Sequence, residues 1–329
     1  MDLSLIFTSA LREAFGTQAA YYALLVIGLN VHYGYTGLLN FGQAGFAMVG
    51  AYGVGIMVSW AGWSLWAALP MGLVGGLLFA LLLGLPTLRL RGDYFAITTT
   101  AASEILRRVI RSSWASDVTG GTSGIGDVAP EFTRLNPFDG RVKIVGQWSY
   151  FGSDVWSGLW TWAVVLLVTL LVWLLMRSPW GRVLRAIRED EDAARSLGKN
   201  VVSFKLQSLV LGGMIGSLGG IMLTLQRSSV IDQVFEPRTT FFAYAALILG
   251  GAATTFGPII GSMLFWFLFT ASTQFLREMA RQGWMPGFLE SSDSTGTLVL
   301  ALVGLLIVLL TVFRPQGVFG DRRELLLDD

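Results

Sequence analysis

Four consecutive carboxylates, Glu189, Asp190, Glu191 and Asp192, interrupt an otherwise basic stretch, and oxygen ligands of this kind can hold magnesium for diphosphate chemistry. That chemistry needs ligands converging from two helices, and no second acidic cluster answers this one. His32 is the sole histidine; with no acid or second His at metal-ligand spacing it reads as a packing residue rather than a proton relay. The chain has no cysteine, which removes thiolate nucleophiles and thiolate-held metals. The glycine-rich TGGTSGIG at 119–126 has no following Gly-Lys-Ser/Thr and no preceding strand, so it does not read as a phosphate loop. Without a Walker-type lysine loop the chain is expected to bind no ATP or other cofactor itself and to be no enzyme. Two polar sets remain. Asn40 and Gln43 lie in a glycine-broken apolar segment, and Thr98, Thr99 and Glu104 lie in a mixed helix over 94–110. Polar groups at membrane depth tend to face a cavity or a partner. For Glu104 the plainer reading is a local ion pair with Arg107 or Arg108, three and four residues on.

The elements that must position these groups are apolar. Of the 329 residues 53% are hydrophobic and only 14% charged, with 40 glycines and 12 tryptophans. Several apolar runs approach the roughly 20 residues needed to cross a bilayer. The expected fold is an all-α polytopic membrane protein of roughly eight to ten transmembrane helices, interrupted or re-entrant segments included, forming one transmembrane domain over 1–329. The net charge of +1 gives no reason to expect a nucleic-acid partner; the membrane lipid is the expected surroundings. The start of the chain has a single Arg12 followed by Glu13 and does not read as a cleaved signal peptide.

Taken in order, the apolar run 19–32 is short for a span at about 1.5 Å per residue and passes through HYGYTGLLNFGQAGF before apolarity resumes at 46–60. Gly34, Gly37, Gly42 and Gly45 permit a bent or non-helical backbone there, which at membrane depth survives where protein or a water-filled path satisfies it. An ordinary loop between two short, closely packed spans is the alternative. The run 65–85 is a clean span; Arg89 and Arg91 after it suggest a cytoplasmic end. Residues 112–157 form a polar excursion expected outside. Spans follow at 159–176, 204–226, 240–249, 259–275 and 297–313, with GGAATTFGP at 250–258 a tight or re-entrant turn. The glycines at 212, 213, 216, 219 and 220 make a small-residue packing stripe. Tryptophans such as Trp60, Trp63, Trp66, Trp156, Trp160 and Trp162 read as interfacial belts. Residues 314–329 are expected to be a cytoplasmic tail.

The segment 177–203 is the one long charged stretch between spans, and its Lys and Arg content places it in the cytoplasm. Pro179 suits a first helical turn, Val183, Leu184 and Ile187 share a face, and the acidic run favours a second helix start that Gly198 ends. The second helix would carry Ala193, Ala194 and Leu197 on a charged surface, small enough for a partner to approach closely. It reads as a docking knob.

DAARSLG at 192–198 resembles the EAA-loop signature of ABC importer permeases, with Asp192 in place of the usual Glu. GYTGLLNFGQAGFAMVGAY (34–52), LRLRGDYFAITTTAASEILR (88–107), RAIREDEDAARSLG (185–198), GGAATTFGPIIG and the tail FRPQG are similar to branched-chain amino-acid permeases of the LivM type, in order over most of the chain. Urea and short-chain amide importers use closely similar permeases. The resemblance implies a permease subunit in a bacterial inner membrane, C-terminus in the cytoplasm. It would pair with a homologous second permease, two cytosolic ABC ATPases that bind the ATP, and an extracytoplasmic binding protein. On that reading Arg188, Glu191, Asp192, Ala193, Ala194, Leu197 and Gly198 couple to the ATPases, with Arg185 and Arg195 adding charge pairs. Asn40, Gln43, Thr98, Thr99 and Glu104 would line the path of a zwitterion, which needs donors, an acceptor and an apolar patch. The plainer reading of these five is that they satisfy backbone groups freed by the break or join neighbouring helices.

A secondary transporter would also suit broken helices, but ion coupling calls for intramembrane ionisable groups and the spans offer little beyond Glu104.

Overall fold

A computed structural model describes residues 3–88, 92–138, 140–143, 149–284, 292–314 and 316–319. Arg89, Arg91 and most of the tail expected over 314–329 lie outside them.

Helix α1 (Leu3–Ala14) meets α2 (Thr17–Leu29) at a bend of 46°, placed where Gly16 leaves the helical conformation. From Ala19 to Leu29 every residue of α2 is buried, as expected of a helix that is apolar all round. It runs on through a π-helical turn, Asn30–Gly34, and the chain is then non-helical over 37–42 before α3 (Gln43–Ser59). The interruption expected from the glycines is therefore present.

Next come α4 (Leu65–Thr87) and α5 (Gly92–Arg111). Two short helices follow, α6 (Ser116–Thr119) and α7 (Pro130–Arg134), separated by strand β1 (Ile125–Gly126). A hairpin pairs β2 (Arg141–Lys143) antiparallel to β3 (Ser149–Phe151). Helix α8 (Gly152–Arg177) begins ahead of the apolar run that starts at Leu159, so the polar excursion is shorter than its composition suggests. The charged segment holds α9 (Pro179–Glu189) and α10 (Glu191–Ser196). Helix α11 (Val201–Arg227) leads to β4 (Ser229–Val230), which pairs antiparallel with β1, and to a 3-10 turn, Asp232–Phe235. The last helices are α12 (Pro237–Gly250), α13 (Gly257–Arg281) and α14 (Ser292–Phe313).

Among the described residues α4, α8, α11 and α13 are long and apolar enough to cross a bilayer singly, and the bent α1–α2 pair adds a fifth span. The protein is an all-α polytopic membrane protein. The sequence reading of roughly eight to ten spans also counted α3, α12 and α14, whose apolar stretches are shorter, and α5, whose mixed face lowers its apolarity.

Helix α11 is central: 78% of its apolar window is buried, against 39% in α4, 33% in α8 and 28% in α13. Its glycines make this possible. A Cβ on Gly220 would collide with the Ala47 carbonyl of α3, and one on Gly212 would meet both the Gly28 carbonyl and the His32 ring. Backbones approach this closely only where side chains are absent. Contacts also orient the bundle. Gln226 hydrogen-bonds Thr17, whereas Leu209 faces His32, so α2 runs antiparallel to α11. One end of the bundle therefore carries α9, α10 and the π turn, and the opposite end carries Arg227, Asp232 and the β1–β4 pair. Trp60, Trp63, Trp66 and Trp160 are exposed, while Trp156 and Trp162 donate to the carbonyls of Phe132 and Phe15.

Candidate functional site

A seam of fully buried polar groups runs along the interruption between α2 and α3. His32 is inaccessible, and its Nε2 lies 3.2 Å from the Leu209 carbonyl, which can only accept; Nε2 therefore carries the proton. The other ring nitrogen, Nδ1, then accepts from Asn40 Nδ2 at 3.1 Å. Asn40 Oδ1 in turn accepts the Gly42 N–H at 2.9 Å, which fixes the amide in the same sense, and the Asn40 carbonyl accepts the Tyr244 hydroxyl at 3.0 Å. His32 and Asn40 thus form one chain of hydrogen bonds tying three segments: α11, the non-helical stretch and α12.

Neighbouring side chains satisfy backbone groups that the interruption strands. Thr99 Oγ accepts the Phe41 N–H at 3.1 Å and donates to the Ala96 carbonyl at 2.9 Å. Thr240 Oγ accepts the Ala44 N–H at 3.0 Å, and Thr36 and Ser208, 2.7 Å apart, share the Val31 carbonyl. Gln43 Nε2 reaches the carbonyls of Leu25 and Gly212, both at 3.3 Å, but its Oε1 is buried with no hydrogen-bond partner. Among the described residues, that acceptor is the one side-chain nitrogen or oxygen of the seam left with no hydrogen bond at all. Asn30 closes the far side, donating to the Thr254 carbonyl and accepting the Ala253 N–H, each at 2.8 Å.

Of the five path candidates, Asn40, Gln43 and Thr99 meet in this seam. Thr98 and Glu104 do not. Thr98 turns away and bonds its own helix at Tyr94. Glu104 grips Arg107 with both oxygens at 2.9 Å and also takes Arg108 at 3.1 Å, the local pair that the spacing suggests. The same Arg107 spans to Asp232, 3.0 Å away and almost fully buried. Sequence reading missed Asp232 because IDQVFEPR looks like an external turn. It missed His32 as a hub because a lone histidine carries no partner signal. Thr240 and Tyr244 lay in a segment read only as a span.

At the other predicted site α9 and α10 are local, capped helices. Asp190 caps α10, its Oδ1 accepting the N–H groups of Asp192 and Ala193 at 2.9 Å. Gly198, at φ +77°, ends it in a Schellman arrangement: Gly198 N–H bonds Arg195 and Lys199 N–H bonds Ala194. The acidic run is thereby accounted for as a cap, a first turn and ion pairs. Glu191 pairs with Arg195 and with Lys205 of α11, and Asp192 with Arg195. Arg185 donates to the Met176 carbonyl at 2.8 Å. One expectation is corrected. Ala194 is only 4% exposed and packs on Ile187 and Val201, because its face of α10 turns toward α9 and α11; Ala193, Leu197 and Gly198 remain on the surface, Leu197 at 80%. The two predicted sites touch: Arg188 reaches from α9 to the Gly34 carbonyl at 2.6 Å, directly below the seam.

Apolar spans, a broken helix with a sealed polar seam and a charged helix pair bonded to the break define a multi-pass membrane protein. The sequence profile of the "Branched-chain amino acid transport system / permease component" family matches residues 12–313, and the chain belongs to that family. It is 31% identical over 318 residues to the high-affinity branched-chain amino acid transport system permease protein LivM of Salmonella typhimurium, covering 93% of this chain and 69% of the relative. A probable LivM of Methanocaldococcus jannaschii is 27% identical over 74% of this chain and 76% of its own. LivH of Escherichia coli, also a permease protein of a branched-chain amino acid transport system, is 28% identical over 75% and 80%.

Proposed function

We propose that this chain is a membrane-spanning subunit of an ABC importer for branched-chain amino acids, with the substrate moving along the interrupted segment. The observation that carries the reading is the family match over 12–313 together with a capped α9–α10 pair bonded to the break through Arg188. One of two cytosolic ATPases docks on the exposed surface of α10, where Asp192, Ala193, Leu197 and Gly198 offer a small, partly apolar face, and the other docks on the second permease. ATP is theirs, and no cofactor is bound here. The α9–α10 end, 177–203, then faces the cytoplasm together with the C-terminal residues 314–329, and 112–157 lies outside. A second permease related to this one completes the pathway, as the existence of both LivM and LivH relatives suggests, and a binding protein delivers substrate from outside in a bacterial inner membrane.

In the form described, the polar groups of the path are engaged by backbone. When the docked ATPase displaces α9, Arg188 pulls on Gly34 and the π turn, and the loop 37–42 moves. Asn40, Gln43 and Thr99 exchange backbone partners for the ammonium and carboxylate groups of substrate, and the unpartnered Gln43 Oε1 supplies an acceptor. Differential engagement in the two states is what a ligand needs to shift such an equilibrium.

The test is uptake of radiolabelled leucine, isoleucine, valine and urea by vesicles holding the full set of subunits. Accumulation of the three amino acids that stops without ATP supports the reading. Uphill transport by this chain alone, or urea as the preferred solute, overturns it.

A further inference from the structure

At the end opposite α9 and α10, a cleft of about 760 Å³ opens where the end of α11, the start of α12, the end of α13 and the start of α14 come together. Its charged lining is cationic: Arg227, Arg238 and Arg277 all border it, and no Asp or Glu does among the described residues. Arg227 and Arg277 enter no ion pair among the described residues, and Arg238 has only Glu236 at a loose 3.9 Å. The rest of the lining mixes neutral polar side chains, Gln18, Gln233, Thr239 and Thr273, with an apolar and aromatic part nearest the bundle core formed by Tyr22, Phe242, Phe269 and Val299. The indole N–H of Trp266, on the same wall, has no hydrogen-bond partner.

Arg227 ends α11, Arg238 lies in the first turn of α12 and Arg277 about one turn before the end of α13, so the three lie near the bilayer interface, while Phe242 and Phe269 lie further along their helices toward the apolar layer. A soluble anion would satisfy the arginines and leave the wall unused. An anionic amphiphile uses both: its phosphate neutralises the guanidinium groups and an acyl chain lies along Phe242, Phe269 and the exposed Leu300. Basic clefts between membrane helices recognise acidic headgroups by this charge complementarity, and Arg forms forked hydrogen bonds to phosphate. We propose that this cleft is a binding site for a phospholipid with an anionic headgroup. The inference does not depend on the transport reading.

The test is native mass spectrometry of the full chain released from bilayers holding equal amounts of phosphatidylglycerol and phosphatidylcholine with matched acyl chains. The expected result is retained phosphatidylglycerol, with the preference falling about tenfold in Arg227→Gln/Arg238→Gln/Arg277→Gln and largely kept in the corresponding triple Lys variant. The Lys variant separates loss of charge from loss of fold. Addition of millimolar sn-glycerol 3-phosphate distinguishes lipid from free phosphate and should leave the lipid bound. Equal retention of the two lipids, equal preference in wild type and the Gln variant, or displacement by the free phosphate would each overturn the proposal. Crosslinking of the three arginine positions to an acidic protein subunit in lipid-depleted assembled transporter, with no lipid retained, would do so as well.

Discussion

Arg188 Nη1 donates to the Gly34 carbonyl oxygen at 2.6 Å, so a residue of the charged segment holds the last residue of the π turn. The contact matters because Gly34 closes the π turn just before the chain leaves the helix at 37, and a charge-assisted bond is stronger than a neutral one. Displacing α9 by even a small distance must either break this bond or carry the π turn along.

Arg188→Ala should therefore separate ATP hydrolysis from transport. In the assembled transporter, leucine uptake should drop about tenfold, the worth of one charge-assisted bond, while the ATPase rate stays within about twofold. Uptake and hydrolysis falling in parallel would place Arg188 in ATPase docking instead.

Because His32 and Asn40 share one hydrogen-bond chain, removing either strands the other inside the protein. His32→Phe and Asn40→Ala should each lower stability by about 1 to 3 kcal/mol, and the double variant should cost clearly less than the sum. Chemical denaturation in detergent reads both quantities. Strict additivity would mean that the two residues act independently.

Asp232 is nearly inaccessible and depends on Arg107, which itself is mostly covered. Arg107→Met should destabilise by about 3 kcal/mol, since it leaves a buried carboxylate unpaired, and adding Asp232→Asn should restore much of the loss. Thermal unfolding followed by circular dichroism would decide; a double variant no more stable than Arg107→Met would show that the ion pair is not the cause.

On α10 the exposed and covered residues should respond differently. Leu197→Asp should abolish co-purification of the ATPases with stability unchanged, since Leu197 contacts little in this chain. Ala194→Leu should instead destabilise by about 1 to 3 kcal/mol by overpacking against Ile187 and Val201. Gly198→Ala, forced into a left-handed conformation, should fray the end of α10 and weaken docking partially. Full ATPase retention by Leu197→Asp would move the docking surface elsewhere.

Local rules determined a good deal from sequence alone. The runs of apolar residues named the long spans, Pro179 and the acidic run marked the starts of α9 and α10, Gly198 marked a stop, and the glycines between 34 and 45 marked the break, because each depends on residues within a turn or two of one another. The Glu104 pair was legible for the same reason: its partner lies three residues away. Tertiary structure alone decided that Ala194 faces inward, that Arg107 reaches Asp232, that a lone histidine orders Asn40, and that Arg188 touches Gly34. Arg107 and Asp232 are 125 residues apart and Arg188 and Gly34 154, and even the closer His32–Asn40 and Ala194 contacts span a break or a turn, so each depends on how separate elements pack. Nothing in a helix's own periodicity says which neighbour will cover a given face, and buried polar groups take whatever partner the packing brings within reach.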